Sequence, residues 1–472
     1  MSCKKISAKF LERTSDSIPW EAADRQLVPI YLERYGYEEA EYQYSGQANI
    51  YSLKNEQAEV KYADVPYTNR FLLRKPRNAE KFSGNVVIEL LNPSNSWDVS
   101  PMWCQVWPSM LEDGDIYIGV TIRAVCAASL KKYNLKRYKE LNWGNPNPAP
   151  VSQKILMWQH CSEDTEFGLV WDMLTQLGSF FKEEAGQEIV GSPVKKVYAM
   201  SCSQSSMFLS TYFNTFHESD RKSPISPPFD GYLTYTGSTM VPLNQSEDPV
   251  EPTADIQKTR NCPVPIIRFM SQWDFRDFAG HISHRRKDSD EKGDRFRLYE
   301  IGGHAHNAFS GALYRPGYEE IAAIEKKTGF PATDFAPLDI DSVMRQALRN
   351  LKLWSEENIA PPHAQNLIAV DEDGHELFDE NGNCKGGLRL PQLTVPIARY
   401  YSGTAKNPQD SAYVPFSEER LLKLYPTHTD YVKKMFAAID EMLFQNFISV
   451  QDADRMKKEA VMAPIPKLDK SV

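Results

Sequence analysis

The stretch VYAMSCSQSSMFLSTYF, Val197–Phe213, decides the fold. Up to about Met200 it reads as a buried strand. From Gln204 onward, Met207, Phe208, Phe213 and then Phe216 mark a partly buried helix. Ser201, Cys202, Ser203, Gln204 and Ser205 crowd the junction, where a sharp turn would ordinarily use glycine. Strand, sharp turn and helix form the setting of a nucleophile elbow, with G-x-S-x-G replaced here by Ser-Cys-Ser-Gln-Ser around Ser203. The plainer reading makes Ser203 a helix-capping serine in a polar loop. The junction alone does not separate the two.

The downstream chain does. VPIIRFM (Val264–Met270) and RFRLYEI (Arg295–Ile301) read as two further buried strands. Asp274 follows the first, and Gly302-Gly303-His304-Ala305-His306 follows the second. Serine, acid and histidine therefore occur in the order this elbow demands, each just after its own strand. A capping serine accounts for neither later residue.

Working outward, NVVIELLN (Asn85–Asn92), DIYIGVTIR (Asp115–Arg123) and KKVYAMS (Lys195–Ser201) are also near-continuous apolar runs, with a helix expected between the first two. Such runs joined by helical crossovers predict an α/β fold, a mostly parallel central sheet covered by helices on both faces. Proline clusters at Pro146–Pro150, Pro224–Pro228 and Pro249–Pro252 interrupt the alternation. Past Ala308 a long tail carries a predicted helix, Ser342–Glu357, and a hairpin around Asp373-Gly374. With no internal repeat and no clean linker, residues 1–472 read as one domain, and roughly 310–400 as an inserted or cap-like segment.

Composition limits the function classes. The chain has 472 residues, 41% hydrophobic and 25% charged, as in ordinary globular proteins. A net charge of −9 and the lack of a basic run argue against a nucleic-acid partner. No apolar stretch approaches the ~18 residues of a membrane span, and the N-terminal MSCKKISAKFLERTSDS lacks the apolar core of a signal peptide. Seven cysteines (Cys3, Cys104, Cys126, Cys161, Cys202, Cys262 and Cys384) show no CxxC spacing, so reduced thiols and a cytoplasmic location are expected.

Several segments together resemble the large, mostly uncharacterised α/β-hydrolase domain family of bacteria and fungi. Ser201–Ser206 stands where that family has a G-x-S-Q-S-G-like elbow. RFRLYEIGGHAH matches its R-F-R-x-x-E-x-x-G-x-x-H. VVIELLNPS, GVTIRAV with LKKYNLKRY, FDGYL and GGLRLPQLTVPIARYYSG also fit, so the likeness spans most of the chain. It implies an α/β-hydrolase fold with insertions and a C-terminal cap, and a serine esterase.

The expected roles follow from the chemistry. Ser203 attacks an ester carbonyl, His306 takes and returns the proton, and Asp274 orients the imidazole. The oxyanion hole is expected from the Gln204 backbone N–H and from the loop Asn92-Pro93-Ser94-Asn95, where Pro93 has no N–H and Ser94 is the candidate. The substrate is a small-molecule ester, and the constellation calls for no cofactor. His304 competes with His306 as base, the family pattern favouring His306, and Asp277 competes with Asp274. Cys202 is expected to pack inward. Two other classes compete: a hydrolase-fold ligand-binding protein without activity, and a metallohydrolase using Asp274, His281, His284, His304 and His306.

Overall fold

The computed structural model describes residues 4–146, 151–154, 161–218, 223–237, 239–249, 251, 258–277, 285–325, 336–403 and 411–466. Its strands are β1 (Ser7–Leu11), β2 (Tyr37–Lys54), β3 (Gln57–Pro76), β4 (Asn85–Leu90), β5 (Ile116–Val120), β6 (Lys196–Cys202), β7 (Gly231–Tyr235), β8 (Ile266–Ser271), β9 (Ser289–Glu291), β10 (Asp294–Ile301), β11 (Ala398–Tyr401) and β12 (Ala412–Pro415). The chain divides into two compact units. One comprises residues 1–266, 289–296 and 310–330, the other residues 267–288, 297–309 and 331–472. The segment expected as a cap, 310–400, is thus shared between them.

In the first unit the strands lie in the order β1-β2-β3-β5-β4-β6-β7. β5, β4, β6 and β7 pair in parallel, Leu90 aligning with both Val120 and Ser201. β4, β5 and β7 are buried at every position, which explains why they read as continuous apolar runs rather than alternating ones. The helix predicted between β4 and β5 spans Pro101–Asp113, starting on proline and ending at Gly114 (φ 78°), where a side chain would strike the Lys81 carbonyl. Buried Glu89 of β4 accepts the amides of Met102 (2.9 Å) and Trp103 (2.8 Å) at that helix's start and the Tyr117 hydroxyl (2.9 Å).

The edge was not legible. β1, β2 and β3 form an antiparallel flank to β5. The β2–β3 hairpin turns on Asn55-Glu56, both at positive φ (49° and 59°), a two-residue turn made without glycine. A fully buried charge cluster braces it. Arg70 of β3 pairs with Glu41 of β2 (3.2 Å) and with Asp98 (2.5 Å), and Arg137 pairs with Glu41 (2.5 Å). Arg137 and Tyr138, the end of LKKYNLKRY, therefore serve the scaffold: Tyr138 donates its hydroxyl to Glu41.

In the second unit β8 and β10 are neighbours. The motif residues of RFRLYEI are structural. Arg297 donates to the Pro361 carbonyl (3.0 Å) and lies over the Trp354 ring, while Glu300 receives Arg285 through two bonds (2.7 and 2.6 Å) and the Ile368 amide (2.8 Å). The predicted tail helix spans Ile340–Glu356. At Asp373-Gly374 the chain makes a tight turn, Asp371 N–H to His375 C=O, flanked by single bridges rather than by regular strands. Helices His428–Phe444 and Val450–Met462 close the chain. Of the proline clusters, residues 147–150, 250 and 252 lie outside the described residues.

Candidate active site

β6 ends at Cys202, and the helix Gln204–Phe216 begins one residue later, so Ser203 alone makes the turn. Its backbone sits at φ 59°, ψ −126°, a region that costs a side-chain-bearing residue about 1–3 kcal/mol. The cost is borne because neighbours fix the turn from several sides. The Ser203 N–H donates to the Tyr235 carbonyl (3.0 Å) and to the Thr236 hydroxyl (3.1 Å) at the end of β7. Gly237 (φ 68°) lies so close that a Cβ there would meet the Ser203 carbonyl oxygen at 2.3 Å. The close approach to the turn is made here by a glycine just past the end of β7.

The serines in place of those glycines are all employed. Ser205 Oγ accepts from the Cys202 N–H (3.1 Å) and donates to the Cys202 carbonyl (2.9 Å). The Ser201 and Ser206 hydroxyls meet at 3.0 Å, and Ser206 donates onward to the Tyr235 carbonyl (3.1 Å). Cys202 is buried, its sulfur 3.8 Å from the Thr236 hydroxyl, so it packs inward.

Behind β4, Asn92 ties the next loop to the elbow, its side-chain amide donating to the Cys202 carbonyl (2.8 Å). Its Oδ1 accepts the Ser94 N–H (2.8 Å), and paired bonds to Val99 close the loop. Ser94 is exposed, and its amide would have to leave Asn92 to serve an oxyanion. Gln204 heads its helix, where the leading amides have no carbonyl one turn earlier and the helix dipole is positive. Asn92, Thr236 and Gly237 were not singled out from the sequence; Asn92 sat within a quoted loop, but its bond to a carbonyl 110 residues away leaves no local signal. Arg123, at the end of GVTIR, places its buried guanidinium 3.4 Å from the Gln204 side-chain oxygen and 3.4 Å from the Cys161 sulfur, and burial lowers its pKa.

In the second unit the acid and histidine come together. Asp274 lies in the short helix Gln272–Asp277 directly after β8, and its Oδ1 accepts from His306 Nδ1 at 2.9 Å. Asp274 is fully buried and His306 is 5% exposed. Ser271 Oγ donates to the other carboxylate oxygen and accepts the Asp274 N–H (3.1 Å). Gln272 accepts the Gly303 N–H (2.7 Å), and the Trp273 ring stands edge-on to the His306 imidazole, centroids 5.2 Å apart. Behind the histidine loop, Leu393 of GGLRLPQLT packs at Gly302 and Gly303.

His304 points elsewhere. Its Nδ1 lies 2.6 Å from the Ala305 carbonyl, and burial pushes its pKa down to about 4. The Asp277 side chain, His281 and His284 lie outside the described residues. Among the described residues, Asp371, Asp373 and His375 are grouped closely enough to hold a metal ion, all exposed and apart from Asp274 and His306. No described helix is long and apolar enough to cross a membrane.

The sheet, the elbow and the acid–histidine corner define an α/β hydrolase fold. The alpha/beta hydrolase domain model matches residues 7–458, and the chain belongs to that family. It is also similar to a thermostable esterase from Pseudomonas putida, at 12% identity over 69% of this chain and 85% of that one, with a TM-score of 0.35. Two others are acetyl xylan esterase 1 from Thermoanaerobacterium sp. (9% identity, 66% and 88%, TM-score 0.34) and a fungal esterase from Rhizomucor miehei (8%, 68% and 85%, 0.36). No match is found among curated proteins.

Proposed function

We propose that this chain is a serine hydrolase that cleaves a small-molecule carboxylic ester through an acyl-enzyme on Ser203. The observation that carries the reading is the buried Asp274–His306 bond. A carboxylate on Nδ1 fixes the tautomer that offers Nε2 as a base, and it stabilises the imidazolium formed when Nε2 takes a proton. The strained turn at Ser203, where the elbow pattern read from the sequence places its serine, supplies the nucleophile in this reading.

In this reading His306 removes the Ser203 Oγ proton as Oγ bonds to the ester carbonyl carbon. The proton then passes to the departing alkoxide, and a water activated by the same imidazole releases the acid. The Gln204 amide supports the oxyanion at the helix start, with Ser94 or a neighbour in its loop as second donor; one such donor is worth about 3 kcal/mol. The chemistry needs no cofactor.

The test is hydrolysis of p-nitrophenyl acetate and butyrate by wild-type, Ser203→Ala and His306→Ala proteins. Turnover by the wild type and its loss in both variants, with melting temperatures kept, supports the reading. Turnover surviving Ser203→Ala contradicts it.

A further inference from the structure

Ser271 makes two bonds to one residue. Its hydroxyl donates to Asp274 Oδ2 and accepts the Asp274 N–H (3.1 Å). Asp274 Oδ1 is occupied by His306 (2.9 Å), so the two carboxylate oxygens face two different donors and the carboxylate plane is fixed by both. Ser271 is the last residue of β8 and fully buried, so water cannot replace its hydroxyl without opening the core. The adjoining residues reach the histidine loop, Gln272 through the Gly303 amide and Trp273 through the His306 ring. The turn Ser271–Asp274 thus grips acid and histidine together.

We infer that Ser271 is a positioning residue for the base: its hydroxyl sets the rotation of Asp274, and through Asp274 the aim of His306. This rests on the proposed Ser203 chemistry. Without the hydroxyl, Oδ2 becomes a buried carboxylate oxygen that has lost its side-chain donor. That frees the carboxylate to rotate and weakens its hold on Nδ1. A hydrogen bond to a charged group is strong enough for its loss to slow the serine's reaction about tenfold to a hundredfold.

The experiment is a double-mutant cycle on the second-order rate of fluorophosphonate labelling, using wild type, Ser271→Ala, Asp274→Ala and the double variant, with Ser203→Ala as control. The expected result is a slowing of about tenfold or more in Ser271→Ala that disappears in the Asp274→Ala background, because a residue acting through Asp274 has nothing left to act on. Equal slowing in both backgrounds would make Ser271 a support of the fold alone and overturn the inference. So would wild-type labelling in Ser271→Ala while Ser203→Ala is unlabelled. Labelling that persists in Ser203→Ala sinks the nucleophile assignment, and the positioning role with it. Should Ser271→Ala not fold, Ser271→Cys keeps the volume, weakens the donor and reads the same cycle.

Discussion

Ser203 is held by backbone strain and neutral hydroxyls: its turn is closed by Ser205, Ser206 and Thr236 and pressed by Gly237. His306 is held by a buried carboxylate, by an aromatic edge and by a loop tied through Gln272. Under the proposed chemistry, what matters at the elbow is shape, since an attacking oxygen must project from a turn that cannot relax. Under the same proposal, what matters at the corner is charge, since a base must keep one tautomer and tolerate becoming a cation. Mutations should therefore divide, with elbow changes read chiefly in stability and corner changes chiefly in rate.

Asp274→Asn gives the sharpest division. It keeps the shape and removes the charge, so labelling and ester turnover should fall by about 10⁴-fold with an almost unchanged melting temperature. A comparable fall in stability would break the distinction. Gly237→Ala is the converse case. The new methyl meets the Ser203 carbonyl oxygen at 2.3 Å on a backbone that disfavours it, so urea unfolding should lose up to about 3 kcal/mol.

One pH dependence of stability sits next to the corner, at His304. Burial lowers His304 to about 4, from 6.5, so the unfolded chain binds its proton first as the pH falls. Its contribution is intact above pH 6.5 and is lost between 6.5 and about 4, amounting to about 3 kcal/mol. His304→Gln should flatten that part of a melting-temperature profile. The smallest effect is Ser205→Gly, which installs the usual elbow glycine. Because the hydroxyl bridges the Cys202 amide and carbonyl, the variant should lose about 1 kcal/mol, and a gain would show that these bonds are incidental.

The parallel strands were legible because burial on both faces writes itself as unbroken apolar runs: NVVIELLN, KKVYAMS and VPIIRFM each fall on a strand to within two residues at either end. The candidate triad was legible because its residues follow strand ends. β2 and β3 were not, since their amphipathic strands hide buried Arg70 and Glu41, charges that would ordinarily mark solvent. Gly237, Asn92 and Ser271 act through contacts on other elements or through one hydroxyl, and nothing in their spacing announces it. Gly387 and Leu393 could be placed in a matching segment, but not against Glu300 and Gly303, where they pack.

The central claim is that Ser203 is a nucleophile activated by His306. Its most direct test is the intact mass of the protein after fluorophosphonate treatment, followed by peptide mapping of the adduct. One adduct on Ser203, absent from Ser203→Ala and formed far more slowly in His306→Ala, is the predicted result. A folded wild-type protein that takes no adduct, or takes it on another residue, would contradict the account.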